Sequence, residues 1–361
     1  MPIHPADLSP PLRPRRHRVA PALVLFILTS LSIVAVACTS SESSDQAGQT
    51  FANATAAAVA SGTPAAEAPC RTVQHELGSA CIPAEPRRIV TLDPLTALPT
   101  LVDLGAPVVA SASVYPTGTL FQSYLDPAVV QRLAVVGSST QPDIEKIVLA
   151  KPDLIVGWDR TIQPIQSKLE AIAPVVATKY SFYNHGWRDD VLFIADLVGK
   201  RDQAARQLAE LDRRSEALRP RLAIDGRPLQ LSRVDSYQGQ ALYYDFDCTW
   251  FGEVLTRAGV QQPPAQQSDC TNGDPRTTIV YVSNEQFSVL DGDAIVTDMQ
   301  PQSAADAAAN PLTVLGQNPL WSGLKAVRNS RTFAFGDAWG LGASIRAANV
   351  MLDDLEAKLA R

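Results

Sequence analysis

A twelve-residue pattern occurs twice in this chain, and it restricts the fold more than any other feature. Glu145–Val156 and Glu285–Val296 each begin with a glutamate, pass through a short helix-like stretch and a turn, and reach an aspartate followed by β-branched residues. A short helix followed by a β-strand is one unit of an α/β sheet. Because the copies stand in different halves of the chain, they predict two similar α/β lobes with a ligand cleft between them.

Strand and helix patterns alternate around both copies. Short β-branched runs predict strands, and amphipathic runs bounded by glycine or proline predict helices. The predicted strands are 89–92, 108–112, 154–158, 175–178, 229–234, 241–244, 279–282, 294–297 and 332–335. The predicted helices are 95–104, 143–150, 164–172, 251–258 and 343–360, and a hairpin or loop that turns around Gly78 is predicted at 71–82. Such alternation favours a parallel sheet with helices on its faces.

One long charged helix interrupts this alternation. A first helical stretch ends at Gly199, and a second runs from about Asp202 to Leu218, where Pro220 is expected to stop it. The second helix is too polar to be buried on all sides, so we expect it to bridge two lobes. The predicted domains are 70–199 for the N-terminal lobe, 200–220 for the bridging helix and 221–361 for the C-terminal lobe.

The N-terminus is predicted to be a targeting segment. Four arginines between positions 13 and 18 precede the apolar stretch 20–37, which is the pattern of a signal peptide. The residues before Cys38 resemble a lipobox, so we predict a signal peptide over 1–37, a lipid on Cys38 and a disordered tether over 38–69 at the outer face of a bacterial membrane. An uncleaved anchor helix is the alternative, and the export route, Sec or twin-arginine, stays open.

The remaining cysteines form two close pairs, Cys70 with Cys81 and Cys248 with Cys270. An even number in an oxidising compartment favours disulfides, each stabilising the fold by about 2–4 kcal/mol. Four cysteines allow three connectivities, and pairing by proximity is our prediction. A zinc site is disfavoured because no Cys-x-x-Cys spacing occurs.

Charge and motifs argue against several functional classes. After residue 37 the chain carries 27 basic and 36 acidic residues without a basic run, which argues against nucleic-acid binding. No Gly-x-Ser-x-Gly and no glycine-rich nucleotide loop occurs, so we do not expect an enzyme. The four histidines are scattered, which argues against a resident metal, although haem ligation by a tyrosine or by His185 stays open.

Several strings in the chain resemble the iron–siderophore type of substrate-binding proteins that serve ABC importers. The strings are 88–94, 142–156, 169–176, 318–321, 326–333 and 352–356, and the resemblance extends from about 84 to 357. It implies a fold of the class III periplasmic-binding-protein type, with two Rossmann-like α/β lobes joined by a single long bridging helix. It also implies a monomer with small lobe motions and a shallow cleft for a ferric siderophore, haem or cobalamin.

Aromatic side chains near strand ends are the candidate ligand-binding residues, because ligands of open α/β sheets lie at the carboxyl ends of the strands. Aromatic faces suit the planar catecholate or hydroxamate groups of an iron chelate. The candidates are Tyr115, Trp158, Tyr180, Tyr183, Tyr243, Trp250 and Trp339, with Trp187, Tyr237 and Tyr244 in the same loops and strands. Partial burial in packing is the alternative for each, and Trp321 is assigned to structure because it lies in the family's Asn-Pro-Leu-Trp turn.

An anionic chelate also needs basic partners, and arginine offers a planar fork of donors. Arg233 lies in a predicted strand, where a charge is costly unless it projects into the cleft. The resemblance implies a cleft arginine at this position. Arg276 and Arg346 are weaker candidates, Arg160 follows Trp158, and a surface salt bridge is the alternative role.

Glu145 and Glu285 have a different predicted role. The resemblance implies that one glutamate on each lobe meets arginines of the importer's permease, and these two stand in the matching motifs. A solvated glutamate at a helix start, favoured by the helix dipole, is the alternative. We therefore expect a lipid-anchored receptor that holds iron only through its ligand and delivers a ferric siderophore to an ABC importer. A haem or cobalamin receptor, or a non-transport scaffold or signalling lipoprotein, stays as the alternative.

Overall fold

The computed structural model describes residues 70–114, 122–180, 186–238, 240–246, 249–267, 279–298, 310–340 and 342–360. All of them belong to one compact unit, Glu67–Arg361. The predicted signal peptide, Cys38, the tether and the Cys248/Cys270 pair lie outside the described residues. None of the helices formed by the described residues has the length and apolar character that crossing a bilayer requires.

The N-terminal lobe is built on a six-stranded sheet. Its elements are β1 (Cys70–His75), β2 (Gly78–Pro83), β3 (Ile89–Thr91), α1 (Ala97–Asp103), β4 (Val108–Ser113), α2 (Pro127–Val130), β5 (Ala134–Ser138), β6 (Gln141–Pro142), α3 (Ile144–Ala150), β7 (Leu154–Trp158), α4 (Asp159–Ile162), α5 (Gln166–Glu170), β8 (Val175–Thr178) and α6 (Trp187–Leu197). The sheet order is β6-β5-β4-β3-β7-β8, and only β6 is antiparallel. β3, β7 and β8 are continuous buried runs, as parallel strands covered on both faces require.

The predicted hairpin before this sheet is confirmed. β1 and β2 pair antiparallel, with Cys70 opposite Pro83 and His75 opposite Gly78. A disulfide joins Cys70 to Cys81 across the hairpin, as predicted.

The C-terminal lobe contains a second six-stranded sheet, and its topology corrects one prediction. Its elements, with the helix that leads into it, are α7 (Arg201–Leu222), β9 (Leu229–Tyr237), β10 (Gln240–Tyr244), α8 (Trp250–Arg257), β11 (Val260–Gln261), β12 (Ile279–Val282), β13 (Ala294–Thr297), α9 (Pro311–Leu315), α10 (Lys325–Arg328), β14 (Thr332–Ala334) and α11 (Ile345–Lys358). The order is β12-β10-β9-β13-β14, with β11 also beside β9. β10 is antiparallel to both neighbours, so a purely parallel sheet was the wrong prediction. Only two residues separate β9 from β10, and a connection that short permits only an antiparallel hairpin.

The long helix α7 connects the two sheets along the chain, as expected for a bridging helix. Its buried positions follow one stripe, and they are Ala204, Leu208, Leu211, Ser215, Leu218 and Leu222. The prediction that Pro220 ends the helix is wrong, because α7 continues to Leu222. A proline in the last turn removes one intrahelical hydrogen bond, while Leu218 and Leu222 on either side of it remain buried.

Both sheets bury both of their faces. In β3, Ile89 and Val90 belong to hydrophobic clusters on opposite sides of the sheet. In β13, Ile295 and Val296 do the same in the C-terminal lobe. Each lobe is therefore a layered α/β unit with apolar side chains packed on both faces of its sheet.

The two copies of the repeated pattern make the same contacts in the two lobes. The Asp153 carboxylate accepts the backbone N–H groups of Arg87 and Arg88 at 2.7 and 2.9 Å, and its own N–H donates to the Arg88 carbonyl. The Asp293 carboxylate accepts the N–H of Gln230 at 2.9 Å, and its N–H donates back to the Gln230 carbonyl at 2.7 Å. Each aspartate therefore ties the strand after it to the first strand of its sheet, β7 to β3 and β13 to β9. The prediction of two similar lobes is confirmed.

Candidate functional site

The carboxyl ends of the central strands define the candidate site. In the N-terminal lobe, β3 leads to Asp93, β7 ends at Trp158 and β8 leads to Tyr180. In the C-terminal lobe, β9 contains Asp235 near its end and β13 leads to Asp298. The strand registers make Asp93 equivalent to Asp235, and Trp158 equivalent to Asp298. The first pair of equivalent positions carries aspartate in both lobes, whereas the second carries tryptophan in one lobe and aspartate in the other.

An aromatic–cation stack forms the N-terminal side of the site. The rings of Trp158 and Tyr180 meet edge to face, with centroids 4.9 Å apart. The Arg160 guanidinium carbon lies 3.2 Å from the centroid of the Tyr180 ring and 5.9 Å from that of Trp158. The arginine is exposed, and no carboxylate of the described residues pairs with it. A guanidinium held against an aromatic face by cation–π attraction keeps its donors for a ligand.

Buried neighbours fix this stack in place. Trp158 is buried against Leu95 and Val114. The Asp159 carboxylate accepts the backbone N–H of Tyr180 at 3.0 Å and that of Arg160 at 2.6 Å. One side chain therefore joins the start of α4, directly after β7, to the residue that follows β8 by two positions and carries the second ring of the stack.

Arg233 forms the centre of the C-terminal side, but not in the way we predicted. Its side chain is only 2% exposed and pairs with Asp298, Nη2 to Oδ2, at 2.8 Å. Its guanidinium carbon also lies 3.8 Å from the ring centroid of Tyr244 and 4.4 Å from that of Phe251. The strand register places Arg233 opposite Val296, two residues before Asp298, so the carboxylate reaches the guanidinium directly. The expectation that Arg233 projects into the cleft is therefore corrected.

A second carboxylate lies in the same cluster. Asp235 stands two residues after Arg233 on β9, accepts the Tyr244 hydroxyl at 3.2 Å, and is half-buried. Burial, together with the nearby Asp298, raises the pKa of Asp235 to about 6, although Arg233 opposes both effects. With two carboxylates around one guanidinium, this cluster carries a negative charge above pH 6.

The equivalent aspartate of the N-terminal lobe has a structural role. The Asp93 carboxylate accepts the backbone N–H groups of Leu95, Thr96 and Ala97 at 2.9, 2.9 and 3.0 Å, at the start of α1. Burial raises its pKa to about 6, although these three hydrogen bonds lower it. Asp93 thus organises the turn that carries Leu95 beneath the Trp158 ring.

Two glycines place the segment after β14 between the two halves of the site. A Cβ atom on Gly340 would overlap the Asp298 carboxylate and lie 2.7 Å from Nη2 of Arg233. Gly342 has φ +99°, and a Cβ there would overlap the Tyr124 hydroxyl and lie 2.6 Å from the Leu95 carbonyl oxygen. Since Leu95 packs on Trp158, Gly340 and Gly342 link the C-terminal cluster to the N-terminal stack.

A polar contact also joins the lobes beside this segment. The backbone N–H and the hydroxyl of Ser123 donate to the Asp337 carboxylate at 2.8 and 2.6 Å. The hydroxyl of the next residue, Tyr124, is hydrogen-bonded to Ser344, and burial raises its pKa well above the ordinary value. The lobes therefore meet through specific side chains at the floor of the site.

A model of the periplasmic binding protein family matches residues 89–338. The chain belongs to the periplasmic binding protein family. This confirms the resemblance found in the sequence, and the two-lobed α/β architecture of this family member is the one that the resemblance implied.

Relatives of this periplasmic binding protein are similar over most of their length. A probable siderophore-binding lipoprotein of Bacillus subtilis (strain 168) is 28% identical over 335 residues, which cover 92% of this chain and 96% of the relative. The achromobactin-binding periplasmic protein of Dickeya dadantii (strain 3937) is 29% identical over 300 residues, covering 74% and 94%. The structure of Staphylococcus aureus SirA complexed with staphyloferrin B superposes with a TM-score of 0.63 at 24% identity, covering 80% of this chain and 98% of SirA. This last likeness concerns the fold alone.

Three aromatic candidates of this binding protein lie in the core. Trp250 is buried, with its ring centroid 6.1 Å from that of Trp187. Trp339 is fully buried, stacks on Phe335 at 4.7 Å and donates its indole N–H to a carboxylate of α11. Tyr243 is buried in the hydrophobic cluster beneath β13. Tyr243, Trp250 and Trp339 therefore pack within the hydrophobic clusters of the C-terminal lobe. The structure does not bring them together with the stack of Trp158, Tyr180 and Arg160, so we do not assign them to the candidate site.

The remaining candidates divide between the described and undescribed parts of the chain. Tyr115, Tyr183, His185 and Arg276 lie outside the described residues, and their roles stay predictions. Arg346 pairs with Asp103 of α1 and lines a groove of about 560 Å³ beside α7 and α11, away from the strand ends. Trp321 packs edge to face on Phe287 at 6.3 Å, in keeping with a structural role.

The two glutamates with a predicted docking role lie at equivalent places in the two lobes. Glu145 is in the first turn of α3, and Glu285 is in the 3₁₀ helix Asn284–Leu290. Each stands two residues before a buried side chain, Ile147 or Phe287. Both glutamates are exposed and neither has a partner among the described residues.

Sequence reasoning missed the carboxylates of the C-terminal side. Asp298 follows a β-branched run just as Trp158 ends one, so extending the repeat by five residues past its aspartate would have found it. The match between Asp235 and Asp93 follows from the strand registers and not from the repeat, so the sequence carried no comparable signal for Asp235. Within the described ranges, no three His, Cys, Asp or Glu side chains form a group that could hold a metal ion.

Proposed function

We propose that this protein is an extracytoplasmic substrate-binding lipoprotein that captures a ferric siderophore between its lobes and delivers it to an ABC importer. Membership of the periplasmic binding protein family supports binding and transport rather than catalysis. The siderophore-binding relatives, similar over nearly their whole length, support an iron chelate as the ligand.

The stack of Trp158, Tyr180 and Arg160 is the observation that carries this proposal. It combines the buried ring of Trp158 and the half-buried ring of Tyr180 with an exposed guanidinium that has no carboxylate partner among the described residues. It also lies at the carboxyl ends of β7 and β8, where open α/β sheets bind their ligands. A ferric siderophore presents flat chelating groups and negative charge, which match a ring edge and a planar cation.

The charge distribution of the site indicates how such a ligand is oriented. Arg233 is neutralised by Asp298, and Asp235 adds a further negative charge at neutral pH. An anionic group placed against this cluster would be repelled, whereas one placed against Arg160 would be attracted. We therefore assign the anionic side of the chelate to Arg160 and its neutral or hydrogen-bond-donating side to the C-terminal cluster.

Delivery requires a membrane anchor and a membrane partner. In this proposal the lipid on Cys38 holds the protein, as a monomer, at the outer face of the membrane. Glu145 and Glu285, one exposed on each lobe, contact the permease of the importer. The protein has no cofactor of its own and carries iron only within its ligand.

Titration of the purified, delipidated chain with a panel of chelates tests the proposal. The panel contains ferric citrate, ferric staphyloferrin B, a ferric trihydroxamate, haem and cobalamin, followed by tryptophan fluorescence and calorimetry, with the iron-free ligands as controls. We expect saturable binding of one ferric siderophore. Binding of haem or cobalamin alone would favour the alternative receptor, and a folded protein that binds none of the five would favour a scaffold.

Two arginine variants locate the site within the same experiment. Arg160→Ala should weaken binding of the selected chelate by tenfold or more, on the order of a charge-assisted contact worth about 1.5–3 kcal/mol. Arg206→Ala is the matched control, because Arg206 is an exposed arginine of α7 without a partner among the described residues. Equal affinity of both variants would remove the stack from the site.

A further inference from the structure

Two surface patches combine an exposed glutamate with an exposed hydrophobic side chain. Among the described residues, the large hydrophobic side chains that stand out in solvent are Val148, Leu149, Tyr281 and Leu320, at 50, 76, 44 and 49% exposure. Three of these four accompany Glu145 or Glu285. We call Glu145, Val148 and Leu149 the N-patch, and Glu285 with Leu320 the C-patch.

Helix geometry builds the N-patch. Ile147 is buried and fixes the inward side of α3. Glu145 and Leu149, two residues before and after it, lie on the outward side, and a spacing of four residues puts them next to each other on the helix surface. Arg88 donates to the carbonyls at the end of α3, at 2.7–3.2 Å, so the helix is held at its C-terminus.

Hydrogen bonds between two segments of the chain hold the C-patch together. Glu285 precedes the buried Phe287, whose ring meets that of Trp321 edge to face at 6.3 Å. Leu320, next to Trp321, donates its N–H to the side-chain oxygen of Asn318 at 2.9 Å. The side-chain amide nitrogen of Asn318 in turn donates to Oδ1 of Asn284, the residue before Glu285, at 3.3 Å. Leu320 and Glu285 therefore come from different segments but belong to one fixed surface.

We infer that Leu149 and Leu320 are apolar anchors that bind the membrane-spanning subunits of the importer together with Glu145 and Glu285. This inference rests on the proposed function, and it specifies the partner surface. That surface offers, at two separate places, a basic side chain next to an apolar hollow. A leucine seated beside each glutamate excludes water from the ion pair, and an ion pair shielded from water is stronger.

The charge of the patches favours this occupant over two others. Anionic lipid headgroups would repel a glutamate beside each leucine, so direct contact with the bilayer is disfavoured. A second copy of the chain would bring like charges together if it used the same patches. A basic protein surface is complementary to both patches at once, and each lobe can meet one subunit of a two-subunit permease.

Iron uptake separates docking from ligand binding. The natural host is given the full lipoprotein gene as wild type, Leu149→Ser, Leu320→Ser or the double variant. Radioactive iron is supplied in the chelate that the protein binds, and the rate of iron uptake is measured. Burying one leucine is worth roughly one to two powers of ten in affinity, so each serine variant should take up iron about tenfold more slowly at subsaturating receptor. Leu149→Met keeps the apolar side chain and should retain wild-type uptake, and all variants should bind the chelate with unchanged affinity.

Each other result overturns the inference. Wild-type uptake by the double variant, at equal amounts of anchored protein, would mean that the leucines do not dock. A parallel loss of chelate affinity would place them in the ligand site instead. Binding of the delipidated protein to vesicles of phosphatidylglycerol and phosphatidylethanolamine, lost in the serine variants, would assign the leucines to the bilayer. Failure of the wild type to bind any chelate would count against the proposed function, separately from these outcomes.

Discussion

Replacing Asp298 with asparagine removes the carboxylate that pairs with the buried guanidinium of Arg233. The pair is 2.8 Å long, and the arginine is 2% exposed. Removing one partner of a buried ion pair costs about 3–5 kcal/mol, because the other charge stays buried without it. The Asp298 side chain is 21% exposed, so solvent partly replaces it, and the faces of Tyr244 and Phe251 remain against the guanidinium. We therefore expect Asp298→Asn to lower the free energy of unfolding by about 2–3 kcal/mol.

Arg233→Met completes a double-mutant cycle. Methionine fills much of the same volume without charge, but it leaves the carboxylates of Asp235 and Asp298 facing each other. This variant should therefore be destabilised more at pH 8 than at pH 5, where Asp235 holds its proton. The double variant removes the charge imbalance, so we expect an interaction energy of about 1–3 kcal/mol between the two positions.

Urea unfolding followed by circular dichroism measures the four free energies of the cycle. The reasoning would be refuted by single-variant effects that add within about 0.5 kcal/mol, the scatter expected for independent sites. An Asp298→Asn variant as stable as the wild type would refute it too, because the buried arginine would then be compensated by other groups.

Three further predictions concern other parts of the fold. Gly340→Ala should destabilise the protein by about 1–3 kcal/mol, as overpacking does, because the added Cβ would overlap the Asp298 carboxylate. Gly323→Ala is the control and should be nearly neutral in the same unfolding assay, because its Cβ would have no neighbour within 4 Å. The pKa of Asp235 is about 6 in the folded state, above the value of about 3.9 for an unfolded aspartate. As the pH falls from 7 towards 5, the folded state therefore takes up the proton first, and the contribution of Asp235 to the free energy of unfolding rises. Asp235→Asn should flatten that part of the curve of unfolding free energy against pH, and an unchanged slope would contradict the assignment. Breaking the Cys70–Cys81 disulfide, which closes a loop of 11 residues, should cost about 3 kcal/mol, measured as the difference between the wild type and a variant with both cysteines replaced by serine.

The strands that sequence reasoning placed best are those with the simplest environment. β7, β8 and β13 begin and end where the apolar runs do, because a strand covered on both faces needs a continuous apolar run and stops where it ends. β10 was placed correctly but given the wrong direction, since direction depends on the length of a connection rather than on the strand itself. The end of α7 was misplaced because buried leucines outweighed the local effect of Pro220.

The site was harder to predict than the fold, for a physical reason. Arg233 can be buried because Asp298 pairs with it. Asp298 stands 65 residues later in the chain, and only the pairing of β9 with β13 brings the two side chains together. Residue type alone does not tell whether an aromatic ring lies in a core or in a cleft, and Trp250 and Trp339 belong to the core. Arg160 was the better candidate because it follows a strand end instead of lying within a strand.

The repeat explains why the two sides of the site differ in charge. Asp153 and Asp293 make the same strand-tying contacts in both lobes, so the paired scaffold constrains these positions equally. Five residues further on, neither lobe pairs this position with the first strand of its sheet, and the lobes carry Trp158 and Asp298. A cleft lined by two such strand ends is chemically two-sided, although the lobes are built alike. In the proposed function, an anionic chelate is therefore drawn to the lobe that carries Arg160, and the opposite lobe selects against a ligand whose far side is also anionic.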